Sequence, residues 1–474
     1  MNETKRLIKN TGIIAVGGMA TKLVQFLLLP LYTSVLSTGE YGTVDYINTI
    51  ALFLVPVVSV LMDEGLFRFL IDCHNEVDRK RVVTCSCAVM MCGCVVFALL
   101  MVGAWFVLRP GNLGWVVALV VAQALLQMTG AVLRGFGKTP SYALMNFVAS
   151  VVTIVLNVVF IALLRWSVVG MLSATVIAQG GTAVAFLVRE RAWRYIEPTS
   201  YDVRYAVSLV RYSLPLVPNK ISWTIMNMVD RLIIMNVMGA GAAGVYAVSY
   251  KFPNVMDTVY GFFYQSWKES SARALGSEGD EVAFYNAVYR ALRRFMAAVV
   301  LVMTALMPLV YGLLVDGDYR EGMLYVPILL LATYYSNISG FYGGIFAAHR
   351  DTGIMGTTTV VSALQCLALC FVLIPAIGLW GASLATLVST FTVNEYRLAR
   401  VRRHAELDRD LGGRLVALVA VAVVFFLYYG YFYTGFAPLL AACLVVALAY
   451  SVPANWPIVR RLPGVVRLIL GRRG

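Results

Sequence analysis

The chain has 474 residues, of which 60% are hydrophobic and only 13% charged, and its mean hydropathy is +0.78. A soluble protein of this length has no core large enough to hide that much apolar surface, so composition excludes one. The formal charge of +13, from 38 Lys and Arg against 25 Asp and Glu, raises nucleic acid as a partner until the placement of the cations is read.

Crossing the hydrocarbon core takes about 20 apolar residues per helix. The sequence predicts fourteen such spans, at 11–36, 43–62, 82–108, 114–133, 142–164, 167–188, 213–238, 242–264, 295–315, 323–347, 353–374, 378–396, 415–434 and 437–455. Runs this long and unalternating are helices rather than barrel strands. The predicted fold class is therefore all-α: a polytopic membrane protein. Span one follows Lys5, Arg6 and Lys9 like a signal peptide, but it is too long for one and holds Lys22 and Pro30, so it reads as an uncleaved first helix. Span three carries Cys85, Cys87, Cys92 and Cys94. Residues two apart point to different helix faces, so these read as packing rather than as a soft-metal site. Cys73 is the one cysteine in a loop, and His74, His349 and His404 lack zinc spacing, which leaves neither a disulfide framework nor a metal site.

Placement settles the meaning of the cations. With a cytoplasmic N-terminus, 31 of the 38 Lys and Arg fall on inward segments, only Arg109, Arg165 and Arg320 on outward ones, and four inside spans. Basicity here is the positive-inside signal, so both termini are expected in the cytoplasm of a bacterial inner membrane, with no nucleic-acid partner.

The chain also repeats itself. Leu36-Ser-Thr-Gly-Glu-Tyr-Gly42 after span one matches Met238-Gly-Ala-Gly-Ala-Ala-Gly244 after span seven at an offset of 202, with both glycines in register. Gly170-Met-Leu-Ser-Ala-Thr175 matches Gly381-Ala-Ser-Leu-Ala-Thr386 at an offset of 211. Both pair span n with span n + 6, which predicts two pseudo-symmetric six-helix bundles and a C-terminal appendage of two helices. The expected divisions are an N-terminal lobe at 1–188, a cytoplasmic linker at 189–212 lying on the membrane surface, a second lobe at 213–396, and 397–474 with a basic tail.

An ionised side chain at the bilayer centre costs about 2.5–3.5 kcal/mol or more, so charges inside spans need a reason. They are Lys22, Asp45, Lys220, Asp230, Arg231, Lys251, Asp257 and Glu395. Asp45 and Glu395 lie near span ends and are mostly explained by snorkelling, whereas Lys22 is central, close to Gln25. Lys220, Thr224, Asn227 and Arg231 follow i, i+4, i+7, i+11 and line one face of span seven. Gln123, Gln127, Gly130 and Arg134 repeat the pattern on span four, Asn146, Ser150, Thr153 and Asn157 on span five, and Tyr250, Asn254, Asp257, Gly261 and Tyr264 on span eight. One such stripe is explained by hydrogen bonds between helices, each contributing about 0.6 kcal/mol. Four stripes with Lys22 and Gln25 predict a hydrated cavity between the halves, helped by kinks at Pro30, Pro56, Pro215, Pro218 and Pro253. Lys22, Lys220, Arg231 and Lys251, with Arg68 and Arg134 near the cytoplasmic mouth, outnumber Asp230 and Asp257. That surplus suits an anion such as a diphosphate, whose outward movement gains about 2.3 kcal/mol per charge per 100 mV when the interior is negative.

Pro30-Leu-Tyr-Thr-Ser-Val-Leu-Ser-Thr-Gly-Glu-Tyr-Gly42, Arg68-Phe69, Tyr212-Ser-Leu-Pro-Leu-Val-Pro-Asn219 leading to Asp230-Arg231, and Gly244-Val-Tyr-Ala-Val-Ser-Tyr-Lys251 together resemble the Wzx-type oligosaccharide flippases of the multidrug/oligosaccharidyl-lipid/polysaccharide (MOP) exporter superfamily. The resemblance spans nearly the whole chain. It implies transfer of an undecaprenyl-diphosphate-linked oligosaccharide to the outer leaflet for lipopolysaccharide or capsule synthesis, with Lys22, Lys220, Arg231 and Lys251 holding the diphosphate or sugar charges. Its implied partners are that lipid-linked substrate, membrane lipids and a polysaccharide polymerase machinery, around a monomeric, non-enzymatic transporter that carries no cofactor. Coupling to H+, Na+ or the membrane potential would use Asp230, Asp257 or Asp45. Many members have twelve helices, and the fourteen here match the related lipid II flippases, whose substrate is the first alternative. The extra pair then offers a groove for the prenyl tail.

A cation-coupled multidrug exporter on the same architecture is the second alternative, but it wants acids in the N-terminal half, where Asp45 is the sole candidate. A membrane polymerase or ligase needs a large outward loop, and Asp316-Gly-Asp-Tyr-Arg-Glu321 is too small to build a site. No ATPase-type glycine loop is present. A non-transporting assembly scaffold is the remaining reading.

Overall fold

The computed structural model describes residue 26 and residues 28–470, apart from 74, 109–111, 275–280, 350 and 409, and not the side chains at 107, 108, 226, 227, 265, 269, 272, 273, 352 and 457–470. Among the described residues there are helices and turns and no strand. The chain divides into two compact units, residues 1–247 with 317–319 and residues 248–316 with 320–474.

The first unit runs through α1 (Leu29–Val35), α2 (Thr38–Val58), α3 (Met62–Ile71), α4 (Glu76–Leu108), α5 (Leu113–Gly135), α6 (Thr139–Asn157) and α7 (Ser167–Arg189). It continues with α8 (Val203–Ser213), α9 (Leu216–Val237) and the start of α10 (Ala240–Ser249), inside which the unit boundary falls. α2 starts where Ser37 and Glu40 cap each other reciprocally, satisfying two N–H groups that a helix start leaves orphaned. It ends at Val58, just past Pro56, and Val60 and Leu61 then take positive φ values of 52° and 48°, so the chain breaks at the end of predicted span two before α3 begins. α6 runs into a π-helical segment, Val158–Leu163. The core gathers around α5, whose Leu119, Val120 and Ala131 are fully buried with Ile47 and Ala51 of α2, Leu66 of α3 and Leu172 of α7.

α2 and α10 cross at two glycines. A Cβ on Gly42 would run into the Ala240 carbonyl and the Gly244 nitrogen, and one on Gly244 into the Thr38 carbonyl and the Gly42 nitrogen. The contact is reciprocal, because Thr38 and Ala240 stand at the same offset of 202 as the two glycines. The in-register repeat of the sequence meets itself here.

The linker is docked rather than loose. Thr84 of α4 donates to the Tyr195 carbonyl (3.1 Å) and accepts from the Glu197 N–H (2.9 Å), Cys85 exchanges hydrogen bonds with the Asp202 backbone, and Lys80 pairs with Glu197 at 2.9 Å. Asp202 caps α8 through the N–H groups of Arg204 and Tyr205. α8 buries Ala206, Leu209 and Ser213 and exposes Val203, Arg204, Val207 and Arg211.

The second unit holds α11 (Lys251–Ala274), α12 (Glu281–Leu314), α13 (Val326–Ala348), α14 (Thr352–Ile377), α15 (Leu379–Val401), α16 (Leu411–Thr434) and α17 (Ala437–Leu470). α13 is its centre, with Phe341, Tyr342, Ile345 and Phe346 fully buried. Trp267 of α11 stacks on Phe341 at 4.3 Å and donates its indole N–H to the Phe341 carbonyl, in space that a side chain on Gly344 would fill.

Nine described helices are long and apolar enough to cross a membrane. α9, α11, α13 and α15 are of similar length, 22, 24, 23 and 23 residues, and carry more polar side chains. Predicted span eight, 242–264, falls across two helices, α10 and α11, and span two, 43–62, runs past the end of α2; the other spans from the third to the fourteenth each fall mainly on one helix, while most of the first lies outside the described residues. Leu99, Leu100, Phe106, Phe371, Val372 and Phe426 stand exposed along these helices. Only lipid makes such a surface favourable, and the chain is a multi-pass membrane protein.

Candidate functional site

The polar residues of the first unit converge where α2, α9 and α10 meet. Arg231 of α9 donates from Nη1 to both carboxylate oxygens of Asp45 on α2, at 3.0 and 3.2 Å, with side chains only 12% and 14% exposed. Asp230 points elsewhere, because adjacent helical residues diverge by about 100°. It is 2% exposed and accepts from the Tyr246 hydroxyl of α10 at 2.7 Å and from the Arg231 N–H at 2.9 Å. Two neighbouring positions thus tie α9 to two different helices. Tyr41, one turn before Asp45, is buried between Tyr32 and Tyr319, and Tyr319 donates to the Leu36 and Ser37 carbonyls at the start of α2.

Towards the other end of α9, Lys220 is exposed, its ammonium 5.3 Å from the Trp223 ring centre, and no described carboxylate pairs with it. α9 therefore carries an open cation near its start and a neutralised one near its end.

The other predicted residues are spread out. Arg68 is exposed and paired with Asp72 at 2.7 Å, one turn along α3. Arg134 is half-buried, its guanidinium 4.8 Å over Phe67 and 5.1 Å over Tyr142, a cation–π sandwich that leaves Nε without a hydrogen bond among the described residues. Lys251 is half-buried and Asp257 exposed on α11 of the second unit. Lys22, Gln25 and the Asn227 side chain lie outside the described residues.

The stripe on α6 is occupied internally: Asn146, Ser150 and Thr153 donate to the carbonyls of Tyr142, Asn146 and Ala149 one turn back, and Asn157 donates to the Tyr32 hydroxyl at 2.9 Å. On α5, Gln127 is exposed, whereas the buried Gln123 Oε1 has no partner among the described residues.

Three arrangements escaped the sequence. In the second unit a cavity of about 370 Å3 lies among α12, α13, α15 and α16, mostly apolar through Leu331, Ile338 and Leu415, with Arg293, Glu395 and Arg414 at its polar part. Arg293 is bound to Asp410 at 3.0 Å and Arg414 to the Tyr289 hydroxyl at 2.6 Å. Such a space takes an apolar chain with one polar end. Arg397, 9% exposed, donates to Thr358, Thr359 and the carbonyls of Ser339 and Met355. The run Thr357-Thr358-Thr359 in span eleven is the sequence feature that goes with it. Finally, the rings of His349 and His404 meet at 4.7 Å, tilted by 39°, facing Glu281 at 3.5 Å and Asp351 at 3.0 Å respectively. Nothing in their spacing along the chain announces that meeting.

Comparison with known proteins adds to this geometry. Residues 7–268 match the family described as polysaccharide biosynthesis protein. Among curated relatives, Lsg locus putative protein 1 of Haemophilus influenzae is 23% identical over 279 residues, covering 56% of this chain and 67% of its own. Among solved structures, an inward-facing multidrug resistance MATE family transporter of the MOP superfamily aligns with a TM-score of 0.68 at 14% identity, covering 81% of this chain and 94% of that one. The lipid II flippase MurJ in an inward closed conformation aligns with a TM-score of 0.61 at 12% identity, covering 94% and 99%. At these identities the structural likeness speaks for the fold.

Proposed function

This chain belongs to the polysaccharide biosynthesis protein family and has the fold of MOP-superfamily transporters, and from that premise we propose that it flips an anionic polyprenyl-diphosphate-linked oligosaccharide from the cytoplasmic to the outer leaflet. The observation that carries this reading is the polarity of α9: Lys220 stands exposed without a described carboxylate partner, and Arg231 is held in reserve by Asp45. A helix that crosses the membrane with an open cation suits a substrate that brings its own negative charge. Asp45 and Asp230, the acids beside Arg231, are both engaged, by Arg231 and Tyr246, so neither is open to a cationic drug there. Transport proceeds by alternating access of two six-helix lobes with Lys22, Gln25, Arg68, Arg134, Lys220, Asn227, Arg231 and Lys251 as substrate contacts. Asp230, Asp257 and Asp45 are the candidates to take a coupling cation.

Vesicles reconstituted with the protein and a polyprenyl-diphosphate-linked glycan test this directly. Lys220→Ala and Arg231→Ala are each expected to slow flipping about tenfold or more, the loss of one charge-assisted contact to phosphate. Undiminished flipping in both variants, or efflux of a cationic dye by the wild type, overturns the reading. The orientation, with both termini cytoplasmic, predicts that a C-terminal reporter active only outside the membrane stays silent. An active one reverses the direction of transport.

A further inference from the structure

A second polar cavity, of about 480 Å3, lies at one end of the first unit and has no part in the site above. Its walls are the first turn of α4 (Glu76, Arg79, Lys80), the turn between α5 and α6 (Phe136, Lys138) and the linker segment Glu190 to Tyr195. Lys138 is spent on Glu190 at 2.9 Å, and Lys80 on Glu197 at 2.9 Å. The bond from Lys138 and a second from Ser141 hold the Glu190 carboxyl below the usual carboxylate range, so it stays an anion committed to that lysine. Arg79, Arg191 and Arg194 have no carboxylate partner among the described residues. Arg79 lies 6.0 Å from the Phe136 ring centre and Arg194 5.7 Å from that of Trp193, while Phe136 and Tyr195 meet at 4.6 Å to make an aromatic floor. Three guanidinium groups around one cavity, with Glu190 already neutralised by Lys138 and Glu76 as the one other acid in the wall, leave a cationic surplus that forms a receptor for an oxyanion.

Depth says which oxyanion. Every wall residue borders a membrane helix: Arg79 and Lys80 precede the apolar run of α4, Lys138 joins α5 to α6, and Glu190 caps α7. Beside them Trp193, Ile196 and Tyr201 are 54%, 43% and 46% exposed, the amphipathic and apolar side chains that settle at a headgroup layer. We propose that this cavity binds the phosphate of an anionic phospholipid headgroup in the leaflet at this face, with Arg79, Arg191 and Arg194 as its donors. The leaflet is the cytoplasmic one under the orientation proposed above. The site itself depends on neither that orientation nor transport.

The test is lipid binding to the full-length detergent-purified protein by native mass spectrometry, with phosphatidylglycerol, phosphatidylcholine and soluble glycerol 3-phosphate as probes. Phosphatidylglycerol is expected to bind about tenfold tighter than phosphatidylcholine, and the triple variant Arg79→Ala/Arg191→Ala/Arg194→Ala to lose that preference. Arg191→Gly guards against a folding failure. Arg191 holds φ at +54°, a conformation glycine adopts without strain, so the variant removes one donor while relieving the backbone. It is expected to fold and to bind phosphatidylglycerol several-fold more weakly. Equal binding of the two lipids by the wild type, or wild-type preference in both variants, overturns the site. Glycerol 3-phosphate binding as tightly as the lipid overturns the headgroup assignment in favour of a soluble phosphate ester. Flipping measured on the same preparations keeps the two proposals apart, since either activity can fail while the other survives.

Discussion

Gly244→Ala is expected to unfold the protein at a clearly lower temperature than wild type, by the equivalent of about 3 kcal/mol or more, at the upper end of what overpacking costs. The added methyl group meets the Thr38 carbonyl, a backbone atom in the first turn of α2, which is fixed by the Ser37 and Glu40 cap and has no rotamer to give. Gly42→Ala is the mirror experiment against the Ala240 carbonyl and is expected to cost a similar amount. The double variant should cost less than the sum, because one separation of the helices accommodates both methyl groups. Gly103→Ala in α4 is the control: its Cβ meets nothing within 4 Å, so the substitution gains helix propensity of up to about 1 kcal/mol. A Gly244→Ala protein that melts with the wild type in a detergent thermal-shift measurement would remove the crossing from the account.

Asp45→Ala and Arg231→Ala are each expected to cost about 3–5 kcal/mol, since either leaves its former partner charged and nearly buried. The double variant Asp45→Ala/Arg231→Ala should recover a substantial part, which is the signature of a pair rather than of two independent sites. Denaturant unfolding of the purified variants measures the coupling, and strict additivity would sink the pair. The same pair bears on transport, because an Arg231 that Asp45 neutralises has less charge to offer a diphosphate. Asp45→Asn, which keeps the shape and removes the competing charge, is expected to raise substrate affinity even as it lowers stability.

The membrane helices were legible because burial in lipid demands an apolar run that few other structures need. Spans two to fourteen fall on helices for that reason. Hydropathy does not report where a helix ends once it leaves the apolar run. Hydropathy places span nine at 295–315, but α12 begins at Glu281, because Tyr, Ala, Leu and Arg continue a helix in water as readily as in lipid. The break between α2 and α3 was invisible, since it rests on two positive φ values at Val60 and Leu61 that nothing in those side chains demands. The site was legible residue by residue and opaque as an arrangement. The sequence explains Asp45 by its place near a span end and offers Arg231 as a substrate contact, whereas the two are partners across 186 residues. The divergence of Asp230 from Arg231 could be read from helix geometry alone, but Tyr246 as its donor could not. Gly42 and Gly244 were aligned as repeat positions. That repeats also touch requires an axis through the contact, which a one-dimensional match does not contain.

The docked linker sets an order on biosynthesis. Thr84 leaves the ribosome 111 residues ahead of Tyr195, and Cys85 117 residues ahead of Asp202, which at about 5–20 residues per second is a delay of roughly 6–23 s. During that interval the rest of α4 and helices α5 to α7 are made while the linker's binding face on α4 stands bare. Asp45 waits longer still, until Arg231 emerges. The linker is thus a latch fitted to a lobe already in the bilayer, and the newborn chain carries an unpaired Asp45 until α9 arrives to neutralise it.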